Sequence, residues 1–262
     1  MKLTGAQFKE FDERGFLRLP SLHSSDAIQS LIQRVRDIMA GRIQYEGMFF
    51  QLESNRETTS FQGPSSDYRK IKDLEYDPLF LDFIQHQAFF QMAARYIGPE
   101  VSCMRAMVMN KPASSQSVVP WHQDISENWA MSHPPAFTIW TALDPASVDN
   151  GCLRVVVGSH QEGKIGTGHT LSETDLDAYL EQGKVEYIEL ASGESIIFHN
   201  ALLHGSGPNN TAHSRLAMTI CLMDSATQHT RTGKRYPVIF GEDALTQESI
   251  RNLITIPGHV YD

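Results

Sequence analysis

Apolar positions in the first part of the chain recur at helical spacings. Thr4 and Gln7 form a capping-box pair ahead of Phe8 and Phe11, and Gly15 follows, which predicts a short entry helix. With Ser24 or Ser25 as N-cap, Ile28, Leu31, Ile32, Val35, Ile38 and Met39 line one buried face of a second helix. A third is expected after Asp77-Pro78, where proline suits the first turn, and Gly98-Pro99 closes it. Residues 45–73, between the second and third helices, are polar and aromatic with Gly63-Pro64 in their midst. They read as a long connection over the mouth of the core, of a kind that often serves as a lid.

From about residue 101 the pattern changes to short β-rich runs separated by turn residues, at 101–109, 137–143, 153–157, 185–190, 195–199 and 216–223. The last of these is apolar enough to be buried on both faces, and strands at this spacing suggest a sandwich or barrel. One helical insertion, 172–183, begins at Ser172 with acidic residues that complement its N-terminal dipole. The expected class is therefore mainly β with flanking α-helices, in one domain over 1–262. Residues 1–100 form a mainly helical N-terminal part, 101–223 the β core, and 224–262 a C-terminal extension.

Composition narrows the setting. A chain of 262 residues, 41% hydrophobic and 20% charged, is ordinary for one folded domain. Its 31 acidic against 22 basic side chains give a net charge of −9, which disfavours nucleic acid and anionic membranes as partners. No stretch approaches the roughly 20 apolar residues needed to cross a bilayer, and the start of the chain has no uninterrupted apolar run, so a cytoplasmic location is expected. Cys103, Cys152 and Cys221 are odd in number and lack CxxC spacing, as buried free thiols would be.

The segment Val119-Pro-Trp-His122-Gln-Asp124 carries a histidine and a carboxylate two positions apart, which on an extended strand project from the same face. Phe198-His-Asn-Ala-Leu-Leu-His204-Gly-Ser206 supplies a second histidine at a strand end, followed by small residues that leave room beside it. Two imidazoles and one carboxylate on one face of an octahedron leave three positions open, which suits Fe(II) chemistry with O2. Arg215, eleven residues after His204 at the head of an apolar strand, adds a planar group able to hold a carboxylate through two parallel hydrogen bonds. His160 and His199 are read as structural.

Several stretches together resemble the phytanoyl-CoA hydroxylase family of Fe(II)/2-oxoglutarate-dependent dioxygenases. They are Lys70 to Asp73, Met107 to Pro112, Trp121-His-Gln-Asp124, Trp140-Thr-Ala, Asn150 to Leu153 with Gly158-Ser-His160, and Phe198 through Asn209 with Arg215. The resemblance spans roughly residues 67–223. It implies a double-stranded β-helix, the cupin-like jelly-roll barrel. It also implies His122, Asp124 and His204 as iron ligands, Arg215 as the clamp on the distal carboxylate of 2-oxoglutarate, and Ser206, Lys70, Met107 and Trp140 as further walls of the co-substrate site. The implied cofactors are Fe(II), 2-oxoglutarate and O2.

Hydroxylation of a small molecule is the expected outcome, with desaturation, cyclisation or epimerisation as routes open to the same oxidant. Two readings of other classes stand beside it, a cupin-type metal isomerase or hydrolase and a non-catalytic binding module; oxygen uptake and succinate formation discriminate them. The working unit is expected to be a monomer or homodimer. For the substrate pocket, Tyr45, Phe49, Phe50 and Trp129 offer aromatic surface and Arg231, Lys234 and Arg235 a basic cluster, which together would suit a small carboxylate- or phosphate-bearing metabolite.

Overall fold

The structure is a computed structural model that describes residues 1–45, 47–165 and 173–254. In chain order its elements are α1 (Gly5–Arg14), β1 (Phe16–Leu19), α2 (Ser25–Met39), β2 (Phe50–Leu52), β3 (Tyr68–Lys72), α3 (Pro78–Ile84), α4 (Gln87–Tyr96), β4 (Val101–Lys111) and β5 (Val119–His122). There follow β6 (Phe137–Ala142), β7 (Leu153–Val156), α5 (Glu173–Gln182), β8 (Val185–Ile188), β9 (Ser195–His199), β10 (His204–Ser206), β11 (Arg215–Asp224), β12 (Val238–Phe240) and α6 (Gln247–Ile254).

Two antiparallel sheets make the body of the molecule. The larger runs β1-β9-β6-β11-β4-β3-β2, with β12 also paired to β4, and the smaller runs β5-β10-β7-β8. Mostly β architecture with flanking helices is the expected class, in the two-sheet form of the cupin-like jelly roll.

Strand alternation sorts the larger sheet into two faces. Leu216, Met218, Ile220 and Leu222 of β11 join Val108, Ile139 and Ile197 in the apolar layer beneath the helices. The intervening positions Arg215, Ala217, Thr219 and Cys221 therefore face the smaller sheet, where the chemistry lies. Ile28, Leu31, Ile32, Val35, Ile38 and Met39 of α2 all enter that apolar layer. Each such side chain buried contributes about 1.5–3 kcal/mol relative to exposure.

Local signals account for the ends of the helices. Both reciprocal bonds of the Thr4–Gln7 capping box form, and Gly15 closes α1 at φ 79°, a left-handed conformation that glycine adopts without strain. Ser24, rather than Ser25, caps α2.

The structure differs from the sequence reading in four places. The first hundred residues hold three strands. β1 buries every position but Arg18 and pairs with β9, while β2 and β3 lie inside the 45–73 connection and extend the sheet beyond β4. The single helix expected after Pro78 is two, because the His86 ring accepts a hydrogen bond from Ala88 N and starts α4 afresh. The inserted helix begins at Glu173, and Ser172 lies outside the described residues. After residue 224 the chain returns to the sheet as β12. No described helix is long and apolar enough to cross a membrane.

Candidate active site

His122 ends β5 and His204 opens β10, and the two residues are direct partners in the antiparallel pairing of those strands. Their rings consequently meet, with centroids 4.1 Å apart. Close approach of the strands is secured by Gly205, where a Cβ would come within 2.9 Å of Val119 O. Each ring is turned the same way by its own chain: Nδ1 of His122 is 2.8 Å from Pro120 O, and Nδ1 of His204 is 2.9 Å from Leu202 O. A carbonyl only accepts, so both Nδ1 atoms carry the proton and both Nε2 atoms keep a lone pair.

Asp124 reaches the same point by a different route from the one its spacing suggests. The strand stops at His122, and the chain turns so that Asp124 N donates to Asn200 O at 2.7 Å. Its carboxylate then lies 3.8 Å from His122 Nε2 and 3.9 Å from His204 Nε2. All three donor atoms fall within 4.8 Å of one another, close enough to share one ion. This donor set, two neutral imidazoles and a carboxylate, fits Fe(II).

Electrostatics favour the charge states a metal needs. Burial, reinforced by the neighbouring His204, lowers His122 to about 4. Burial alone would raise the Asp124 carboxyl, but the Arg105 guanidinium and the two imidazoles outweigh it and hold the group well below the usual carboxylate range. Arg105 Nη2 donates to Asp124 Oδ1 at 2.8 Å, and Thr138 Oγ1 lies 3.2 Å from Oδ2.

The triad opens into a cavity of about 360 Å³ between the two sheets. Arg215, 3% exposed, lies among its walls. Its Nη2 donates to Gly151 O at 2.9 Å and its Cζ lies 5.2 Å from the centre of the Trp140 ring, yet Nε and Nη1 are buried without a partner. Burial lowers the guanidinium to about 10. Thr219 Oγ1, on the cavity face of β11, is also buried and unpartnered. Buried polar groups left unsatisfied cost about 1–3 kcal/mol each, so the cavity is built to receive a polar ligand. A dicarboxylate with one end at the metal and the other at Arg215 fits these donors.

Lys70, Met107, Trp140 and Ser206 all line the same cavity. The proposed aromatic and basic pocket walls do not gather there. Arg231, Lys234 and Arg235 are exposed and none lines the cavity. Tyr45 bonds through its hydroxyl to Asp77 and Arg34, and Phe50 packs on Phe61 and Tyr68 in the core. Phe49 and Trp129 do approach the site, each lying under a cavity cation: Lys72 Nζ is 4.2 Å from the Phe49 ring centre and Arg105 Cζ is 5.4 Å from that of Trp129. His199 and His160 serve local structure, the first accepting from Ala201 N at 3.0 Å and the second lying 3.1 Å from Asp12 O.

Sequence reasoning missed Arg105. The signal was a lone cation within the apolar run Val101 to Met109. A β-bulge makes the placement possible: Cys221 pairs with Arg105 but Leu222 with Cys103, so Met104 is the extra residue and Arg105 faces the cavity.

Comparison with known proteins agrees with this geometry. Residues 11–217 match the family described as phytanoyl-CoA dioxygenase (PhyH). The human peroxisomal phytanoyl-CoA dioxygenase is 26% identical over 239 residues, covering 87% of this chain and 70% of that one. A probable alpha-ketoglutarate-dependent hypophosphite dioxygenase of Stutzerimonas stutzeri is 25% identical over 231 residues, covering 82% and 76%. Among solved structures, EctD from S. alaskensis with 2-oxoglutarate and 5-hydroxyectoine superposes with a TM-score of 0.74 at 17% identity, over 94% of this chain and 86% of that one. With a matched family covering most of its length and a His-Asp-His triad in the expected cavity, the chain belongs to the phytanoyl-CoA dioxygenase family and is an Fe(II)- and 2-oxoglutarate-dependent dioxygenase.

Proposed function

We propose that the enzyme hydroxylates an unactivated C–H bond of a small metabolite while 2-oxoglutarate is converted to succinate and CO2. His122, Asp124 and His204 hold the iron, which when bound supplies the oxidising chemistry with O2. The observation that carries this reading is the pairing, within one cavity, of the three converging donors with an Arg215 whose Nε and Nη1 have no partner.

Each protein group then has a defined task. The Pro120 and Leu202 carbonyls fix the imidazole tautomers, and Arg105 with Thr138 orients the Asp124 carboxylate. Arg215, backed by the Trp140 ring, grips the distal carboxylate of 2-oxoglutarate, while Ser206, Lys70 and Met107 border the co-substrate. The enclosing sheets exclude water from the reacting atoms. A cavity of about 360 Å³ supports a small-molecule substrate. The free, buried state of Cys103, Cys152 and Cys221 supports a reducing, cytoplasmic setting.

The test is oxygen- and iron-dependent succinate formation from 2-oxoglutarate, first alone and then with pools of small metabolites. Stimulation by one pool, with a product heavier by one oxygen atom, is expected. Iron-loaded protein that neither binds nor decarboxylates 2-oxoglutarate would overturn the reading.

A further inference from the structure

The cavity is charged in the opposite sense to the protein that holds it. Within a chain of net charge −9, the described cavity walls carry seven arginines and lysines against two carboxylates, Glu53 and Asp124. Glu53 is engaged at one side by Arg56 and Arg69, at 3.0 and 2.9 Å. Arg215 is matched by the distal carboxylate of 2-oxoglutarate, and the remaining charge of that dianion is met by the iron.

Lys111 is engaged by the Ser117 and Gly207 carbonyls, at 2.9 and 2.5 Å, which leaves Lys70, Lys72 and Arg105 close to the triad. Lys72 pairs with Met107 across β3 and β4, and Arg105 lies two residues before Met107 on the same face, so the two cations are diagonal neighbours. Their proximity is electrostatic as well as geometric: burial lowers the Lys72 ammonium first and the charge of Arg105 lowers it further. Lys70 is lowered by burial and then by Arg69, Lys72 and Arg105. Among the described residues neither lysine has an ion-pair partner. Arg105 has one, Asp124, whose charge is shared with the metal in the working enzyme; its Nε is buried and unpaired. The Phe49 and Trp129 rings lie against Lys72 and Arg105 and limit where these cations can move.

We infer that the prime substrate carries an oxyanion, a carboxylate or a phosphonate or phosphate group, which seats on Lys72 and Arg105 and so sets which C–H bond faces the metal. This rests on the iron and 2-oxoglutarate reading above. It moves the anion site from the exposed Arg231–Arg235 turn to the interior. Lys70, at the border of the two subsites, is shared with the co-substrate and is not needed for the argument. A neutral substrate would leave Lys72 without an ion pair and Arg105 with only the carboxylate it shares with the metal, a costly arrangement in a desolvated cavity.

The test is calorimetric titration of the full-length protein, loaded with Fe(II) and saturated with 2-oxoglutarate in the absence of O2. The probes are methylphosphonate, propionate and the neutral propionamide. Both anions should bind with affinity that falls as salt rises, and propionamide should not bind; the stronger of the two anions identifies the group. In Lys72→Met the anion affinity should fall at least roughly tenfold, or about 1.4 kcal/mol, with 2-oxoglutarate affinity within about threefold of wild type. Lys72→Arg should retain the anion site. Lys72 is only partly buried, so its replacement spares the fold, unlike loss of Arg105 from its buried ion pair. Failure of both anions to bind the 2-oxoglutarate-saturated protein, or binding that Lys72→Met leaves unchanged, would overturn the inference while leaving the dioxygenase reading intact. Failure of 2-oxoglutarate itself to bind would overturn both.

Discussion

Replacing Arg215 by methionine separates the two roles that a buried charge can have. In the protein without co-substrate, this guanidinium makes one hydrogen bond to Gly151 O and leaves Nε and Nη1 unpaired. Burial lowers it from the usual guanidinium range to about 10. At 1.36 kcal/mol per pKa unit, holding the charge there costs on the order of 3 kcal/mol. Methionine fills similar space without that cost, and loses one hydrogen bond and the contact with Trp140, worth about 1–2 kcal/mol together. The variant without ligand should therefore be at least as stable as wild type.

Ligand binding should suffer instead. Two charge-assisted hydrogen bonds to a carboxylate contribute about 1.5–3 kcal/mol each. Allowing for their desolvation, a net loss of about 3 kcal/mol raises the 2-oxoglutarate Kd by roughly 150-fold. Thermal unfolding with and without 2-oxoglutarate, followed by calorimetric titration, measures both quantities in one preparation. A variant that melts well below wild type yet binds 2-oxoglutarate as tightly would show that Arg215 supports the fold and not the ligand.

Three further outcomes follow from the same site and its surroundings. His122→Ala, Asp124→Ala and His204→Ala should each abolish turnover and weaken Fe(II) binding without loss of fold, since two remaining donors misorient the ion; full activity at low iron in any of them would remove that residue from the ligand set. Lys111 and Lys70, which burial first and neighbouring cations second lower to about 7 and about 8, are charged below those values and neutral above them. Affinity for 2-oxoglutarate should accordingly decline between about pH 7 and 9, with proton uptake on binding in calorimetry; a flat profile would show that neither ammonium faces the ligand. Glu75, 3% exposed with Oε2 unpartnered, is raised by burial and by Asp73, so its folded form favours the neutral acid. Its stabilisation is complete below the unfolded carboxylate range and is lost as pH rises through the raised folded value. Glu75→Gln should then gain about 1–3 kcal/mol over wild type at pH 8 and much less at pH 5 in denaturant titrations, and an equal difference at both would contradict the assignment.

Legibility in the sequence followed the range of the interactions involved. The Thr4–Gln7 box and the three-and-four spacing of α2 are local, and both helices form as read. Long apolar runs such as β11 identify themselves because they are buried on both faces. β2 and β3 have three and five residues; β3 owes its existence to hydrogen bonds with β4, a partner that no local window contains, and β2 in turn to β3. The break between α3 and α4 depends on one histidine ring accepting from a backbone amide, which composition does not announce. His122, Asp124 and His204 were visible because metal ligation demands particular residue types. Asp124 nonetheless arrives by a turn rather than by strand alternation. Arg105 depended on the bulge at Met104, and bulges leave little trace in a single chain. Arg231, Lys234 and Arg235 looked like a site because they are close in sequence; the cavity instead collects cations from β3, β4 and β11 that are distant in sequence.

The direct pairing of His122 with His204 has a bearing on how such an enzyme can diverge. Spacing between the two imidazoles is stored in the register of two short strands, and β7 holds β10 on its other side, pairing His204 with Val155. Connections that carry neither Asp124 nor the Asn200 and Leu202 carbonyls can be lengthened, trimmed or rewritten without moving the metal grip, so long as those few rungs persist. Insertions in 113–118, whose Ser115, Ser117 and Val118 line the cavity, would rebuild the approach to it and leave its oxidising end as it is. Change of substrate is thereby decoupled from retention of chemistry, and a laboratory library confined to those connections should return altered selectivity far more often than inactive protein.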